Sequence, residues 1–235
     1  GADSTGNILT PGSGAGYGGD GYGYNDNGGA SYGAIRKADE LGSGGGDDRA
    51  AVGGYGGGHI DIDASRANLS GSLAAAGGDG EQADYDYEVS GGGSGGSINI
   101  VSDNIYGSGD LNVGGGSGAQ SGGYDDAGGG AGGRILLNAS NNLAYDGSTE
   151  YSGGNTEFGT AVGERGSLYR EEAGSQVLCD KGSTDATCTV TKTQTVFSDI
   201  NITGTLNITN DATLKSKTLQ QGNLSVDAAE VIVVN

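Results

Sequence analysis

The chain is 235 residues long and acidic, with 30 Asp and Glu against 11 Lys and Arg, and it is 33% hydrophobic with 53 glycines. Glycine at this density argues against helices, because each one in a helix interior costs about 1 kcal/mol relative to alanine, and the acidic field repels nucleic acid and anionic lipid. No stretch approaches the ~18 apolar residues of a membrane span, and a large conventional core is not available along the whole length.

The first long feature is a glycine-rich insertion, residues 16–58, in which Tyr17, Tyr22, Tyr24, Tyr32 and Tyr55 sit among glycine and aspartate. It reads as a cap or side layer. Residues 59–80 then align without a gap on 97–118, matching Ile60 with Ile98, Ile62 with Ile100, Gly71 with Gly109 and Leu73 with Leu111. Residues 134–154 repeat the theme with one insertion, led by Ile135 and Leu137. Each unit reads as three short strands, I-x-I, a single aliphatic and G-x-L-x-V. Alternation turns the aliphatics inward and Asp61, Asn99 and Asn112 outward.

The G-x-L pentad opens at Gly71, Gly109, Gly166, Gly204 and Gly222, with a degenerate copy at Gly147, so the spacings run 38, 38, 19, 38 and 18. A fixed period in this range marks a solenoid, whose repeats bury their apolar edges only by stacking. About 19 residues then make a bare coil, and 38 make a coil plus an insertion. The insertions include Gly91-Gly92-Gly93-Ser94-Gly95-Gly96 and Gly128-Gly129-Gly130-Ala131-Gly132-Gly133, each leading directly into the next I-x-I strand. Their constant phase predicts extended, polyproline-II-like segments packed flat against the strands. An acidic loop, Glu81–Glu88, interrupts the first of them.

After Gly174 the composition becomes Thr-rich and glycine-poor, with Ile200, Ile202, Leu206, Ile208, Val226 and Val231 placed to fill a narrower core. Cys179 and Cys188 flank a turn-like stretch, 180–185, which predicts a local disulfide closing a hairpin and with it an oxidising, extracellular compartment. The expected fold is all-β: a right-handed parallel β-helix with glycine-rich insertions alongside, decorated coils over 1–174 and bare coils over 175–235. The hand follows from the crossover rule for parallel strands. A chain that starts at Gly1 and stops on Val231-Ile232-Val233-Val234-Asn235 reads as a piece of a longer secreted protein.

The order of Gly29-Ala30-Ser31-Tyr32-Gly33, Leu41-Gly42-Ser43-Gly44-Gly45-Gly46, Gly56-Gly57-Gly58-His59-Ile60 and Gly129-Gly130-Ala131-Gly132-Gly133-Arg134-Ile135-Leu136 resembles the glycine-rich repeat region of very large secreted β-helix proteins on bacterial, archaeal and protist surfaces. The resemblance covers roughly residues 6–172. It implies an extracellular location and a structural or adhesive role, and it carries over no catalytic residues.

Several patterns are candidates for chemistry. Asn68, Asn138, Asn201, Asn207 and Asn223 open N-x-S/T sequons, and the strand phasing turns Asn201, Asn207 and Asn223 outward, where a glycan is tolerated. Asp20, Asn25, Asp26 and Asn27, or Asp79, Glu81, Asp84 and Asp86, could gather oxygen ligands for calcium, against the plainer reading of solvated charge. Asp61, Asp63 and Asp103, with Arg66 or Arg134, are the residues a polysaccharide lyase or hydrolase on this fold would use, but nothing marks a cleft, and His59 reads as a strand-start surface residue. Tyr17, Tyr22, Tyr24, Tyr85 and Tyr87, lying in the insertions, suggest a contact surface, since tyrosine supplies amphipathic area at low entropy cost. The function these features favour is a non-catalytic segment of an extracellular fibre, such as a surface filament, flagellar hair or cell-wall element. Its partners would be copies of itself, other fibre chains or glycans, with no cofactor unless calcium. An adhesin or carbohydrate-binding stalk comes second and a polysaccharide-active enzyme third.

Overall fold

The computed structural model describes residues 11–23, 28–34, 36–83, 88–121, 125–156, 162–173, 175–176, 179, 181–182, 187–191, 194–196, 200–209, 214–216 and 226–233. They are all-β, with parallel sheets and no helix. The chain divides into two compact units, Gly1–Tyr169 and Arg170–Asn235.

The first unit is built on coils of one long strand and one short strand. β1 (His59–Asn68) is followed by β2 (Ser72–Ala74), β3 (Ser97–Gly107) by β4 (Asp110–Asn112), and, after the two-residue antiparallel pair β5 (Gln120–Ser121) and β6 (Asp125–Asp126), β7 (Arg134–Tyr145) by β8 (Ser148–Glu150). β1, β3 and β7 pair in parallel, as do β2, β4 and β8. Ile60, Ile98 and Ile135 stand in one register row, Ile62, Ile100 and Leu137 in another, and Leu73, Leu111 and Thr149 in a third. The one insertion expected in the third repeat is the register shift between Ser102 and Asn104. Ile98, Ile100, Ile105, Leu111, Ile135 and Leu137 are buried in this core.

The coil differs from three short strands in one respect. The I-x-I segment and the following aliphatic lie on a single uninterrupted strand, and the bend falls after it. At that bend Gly107 takes a left-handed backbone (φ 116°), which a side chain resists. Between each short strand and the next long one, the described residues run largely as extended glycine-rich chain.

Those excursions form a bundle whose geometry can be read from its hydrogen bonds. Gly91 N–H donates to Gly46 O and Ser94 N–H to Ser43 O. Gly92 and Gly95 donate to Gly128 and Ala131, and Gly93 and Gly96 to Gly78 and Ala75. Every third residue therefore addresses the same neighbour, the signature of a polyproline II helix with its three residues per turn. The carbonyls of 89–94 accept in the same rhythm from three further segments: Gly12 and Ala15 on Val89 and Gly92, Gly54 and Gly57 on Gly91 and Ser94, Gly116 and Ala119 on Gly93 and Ser90. Tract 90–96 is thus ringed by six extended segments, and residues 89–98 are all buried. The tracts do not lie flat on the strands as a layer; they surround one another.

Close approach explains the glycines here. A Cβ on Gly95 would overlap the carbonyl oxygen of Val113 and come within 2.7 Å of Gly133 N. Among the described glycines only Gly33 and Gly107 have left-handed backbones, so contact rather than conformational freedom sets most of the glycine content.

β9 (Ser167–Glu172) spans the division between the units and joins the sheet of β1, β3 and β7. Within the second unit β10 (Ser175–Gln176) folds back on the end of β9. β11 (Lys181–Gly182) pairs antiparallel with β12 (Thr187–Val190), and the Cys179–Cys188 disulfide closes this hairpin. β12, β14 (Ile200–Ile208) and β16 (Val226–Val233) pair in parallel, as do β13 (Gln194–Val196) and β15 (Leu214–Ser216). Cys188 faces Leu206 18 positions on, and Gln194 faces Leu214 20 positions on, so these coils are close to the bare length. The last is longer, since Leu206 pairs with Val231 and not with Leu224 as the pentad series suggests.

The pentads accordingly have different roles. Those at Gly71, Gly109 and Gly147 open the aligned short strands. Gly166 instead leads into β9, where Ser167 N–H donates to Gly133 O, and Gly204 lies inside β14 at a register shift.

Candidate interaction surface

Along the sheet surface, polar side chains from successive coils join in ladders. Asn99 Nδ2 donates to Asp61 Oδ1 (2.8 Å), Ser140 Oγ to Asp103 Oδ1 (2.7 Å), Asn141 Nδ2 to Asn104 Oδ1 (2.9 Å), and Ser148 Oγ to Asp110. The partners are 37 or 38 residues apart, so they meet because the coils stack in register. Of the acids proposed for catalysis, Asp61 and Asp103 are absorbed in this pattern, and Asp63 is exposed on β1. Arg134 does not approach Asp61: it stands in the row of Ser97 and His59 and is buried. Asp103 lies at the register shift, and Arg66 stands opposite Asn104.

Arg134 holds the N-terminal insertion to the sheet. Its guanidinium donates to Tyr32 O (2.7 Å), Tyr17 O (3.3 Å) and Ser167 Oγ (3.2 Å), and it lies 5.3 Å from the centre of the Tyr17 ring. Burial depresses its pKa, opposed by attraction to Tyr17. Burial likewise raises that of the Tyr17 phenol, opposed by the arginine's charge. Comparison with family models, curated proteins and solved structures gives no match.

Tyr17 is therefore not a contact residue. It is fully buried, its ring 4.9 Å from that of Tyr32, because the extended insertion folds back under Arg134. Tyr22 remains partly exposed, while Tyr24, Tyr85 and Tyr87 lie outside the described residues. The outward apolar side chains follow the three-residue period of the bundle. Residues 51, 54 and 57 are buried and 52, 55 and 58 exposed, which leaves Val52 58% and Tyr55 75% accessible, with Leu41 63% accessible on the outward row 41, 44, 47. Leu41 and Val52 were not legible as surface residues, since their row appears only once the three-residue period is applied to the glycine tracts.

Of the calcium candidates, Asp20 accepts the Ser31 amide and Asp79 accepts the Ser117 amide at 2.7 Å. Both carboxylates thus brace backbone. No group of three or more His, Cys, Asp or Glu comes together among the described residues. Asn25, Asp26, Asp84 and Asp86 lie outside them. Asn68 is exposed at the end of β1, and Asn138 is half-buried on β7. Asn207 is half-buried with its Oδ1 shielded from solvent. The Asn201 side chain and Asn223 fall outside the description.

What this surface can do is bind by shape and backbone. It offers regular ladders, an outward row of apolar side chains, and the edges of the parallel stack. β1 and β2 pair on one side only among the described residues, and it is these edges that a stacking partner would meet.

Proposed function

We propose that the chain is a structural segment of an extracellular fibre, built as a right-handed parallel β-helix whose coils carry phased polyproline II excursions. The observation that carries this reading is the in-register stack itself: three coils aligned row on row at intervals of 37 or 38 residues, joined to a glycine bundle whose central tract is hydrogen-bonded to six neighbours. Such construction spends sequence on stiffness and repetition, as solenoids do. The right hand follows from the strong preference of parallel crossovers. A disulfide is at home in an oxidising compartment outside the cell, and no helix among the described residues is long and apolar enough to cross a membrane. The resemblance to glycine-rich regions of large surface β-helix proteins points the same way.

Electron microscopy of the native material tests the reading. Unbranched filaments carrying this chain at a regular axial repeat are expected. Isolated particles that retain glycans on an array would overturn it in favour of an adhesin.

A further inference from the structure

The coils of the first unit meet through two columns of glycines. A Cβ on Gly96 would overlap Gly58 O, one on Gly133 would overlap Gly96 O, and one on Gly166 would overlap Gly133 O. In the second column Gly109 stands against Gly71 O and Gly147 against Gly109 O. Each of these positions must be glycine because the carbonyl of the preceding coil occupies the space a side chain would take.

The heads of the columns differ. At Gly58 and Gly71 an added Cβ meets nothing within 4 Å, and neither backbone is left-handed. Among the described residues neither of the usual reasons for glycine applies to these two positions. Next to them, Ile60, Ile62 and Leu73 are half-buried, whereas their row partners Ile98, Ile100 and Leu111 are fully buried. Among the described residues the backbones of β1 and β2 pair only with β3 and β4. Glycine columns, aliphatic rows and strand edge all stop short by one coil at the same place.

We propose that this β1–β2 end is a stacking face that takes β16 of a second copy of this chain as its next parallel strand. The proposal deepens the fibre reading and rests on it. The occupant must be a parallel strand with aliphatic residues in spaced rows. Among the described residues β16 is paired on one side only, in parallel, and its Val226, Ala228, Val231 and Val233 stand in the rows of Ile200, Ile202, Leu206 and Ile208. β1 of a second copy does not qualify, because a two-fold axis would set two β1 strands antiparallel. Head-to-tail contact between unlike edges is heterologous, and it propagates as a filament where its rotation does not close into a ring.

The test uses the full chain. Sedimentation at increasing concentration should show stepwise head-to-tail assembly, and hydrogen exchange should show β1 and β16 amides gaining protection together as it proceeds. The double variant Gly58→Ala/Gly71→Ala, whose methyl groups have room in the isolated molecule, should keep the wild-type circular dichroism and melt at or slightly above the wild-type temperature but lose assembly; Ile62→Lys should lose assembly as well. If the variants assemble like the wild type, the stacking face is wrong while the fibre reading stands. If wild-type oligomers are blocked by the variants yet never grow into filaments, the face is right and the fibre reading falls. Wild type that stays monomeric at every concentration defeats the proposal, and so does slow exchange, in the monomer, of the β1 amides that point away from β3, which would mean the chain covers this edge itself. Protection gained by β1 without β16 would overturn the choice of occupant.

Discussion

A single methyl group separates the two kinds of glycine in this chain. At Gly95 the space beside Cα is filled by backbone, the Val113 carbonyl and the Gly133 amide, so no flexible side chain can move aside. Overpacking a well-filled interior typically costs about 1–3 kcal/mol, occasionally more, and a clash with two backbone segments belongs at or above the top of that range. Gly58 has open space instead. There an alanine restricts the unfolded chain and should raise the isolated molecule's stability by about 0.4–1 kcal/mol. Urea unfolding of Gly95→Ala and Gly58→Ala at a concentration that keeps the chain monomeric should therefore move the midpoint in opposite directions. Equal shifts would mean that close approach is not what selects glycine in the bundle. The buried serines show how narrow the tolerance is. Ser90 Oγ reaches Val52 O at 2.6 Å and Glu81 O at 2.9 Å, and it accepts from Glu81 N–H at 2.7 Å, so a small side chain is admitted where its hydroxyl is matched on every side.

At the scale of the element, the glycine tracts separate two physical states that composition alone does not. A flexible glycine linker exchanges its amide protons freely, whereas the amides of Gly91 to Gly96 each donate to a backbone carbonyl inside the bundle. They should exchange as slowly as those of β3 in a native-state hydrogen-exchange experiment, since protection tracks burial and hydrogen bonding rather than strand assignment. Free exchange of this tract beside a protected β3 would show that the bundle is not formed in solution. How far such elements can be read in advance depends on the range of the contacts. The 38-residue register of Ile60 with Ile98 and Leu73 with Leu111 is legible because stacked strands repeat their side-chain pattern along the sequence. The extended character of the tracts is legible from their constant phase. Their arrangement around 90–96 is not, because its six neighbours come from segments between Gly12 and Ala131 that share no residue pattern beyond glycine. The same limit hid the fate of Tyr17, whose burial depends on Arg134 more than a hundred positions away. It also hid the difference between Gly109, held by a neighbouring carbonyl alone, and Gly107, where a left-handed backbone adds to the close approach of Leu69, since both are written with one letter.

The molecule as a whole balances its energies differently from an ordinary domain. Glycine loses more conformational freedom on folding than any other residue, and a chain with 53 of them and 33% hydrophobic content has less apolar surface with which to offset that loss. The Ile and Leu rows of the coils supply some of it. Much of the remainder must come from backbone hydrogen bonds and from the dense contacts of Cα hydrogens with carbonyls, each individually weak. This division has a calorimetric consequence. Exposing apolar surface raises the heat capacity of unfolding while exposing peptide groups lowers it, and the usual balance is about 12–15 cal/mol/K per residue. Unfolding this chain exposes an unusually large share of peptide surface, so its heat capacity change per residue should fall clearly below that range. Its stability curve should be correspondingly flatter with temperature. Differential scanning calorimetry over a series of melting temperatures, set by denaturant or pH, measures the slope of enthalpy against temperature directly. A slope within the usual range would mean that apolar burial dominates after all, and that the glycine bundle is held in place by the coils rather than contributing to their stability.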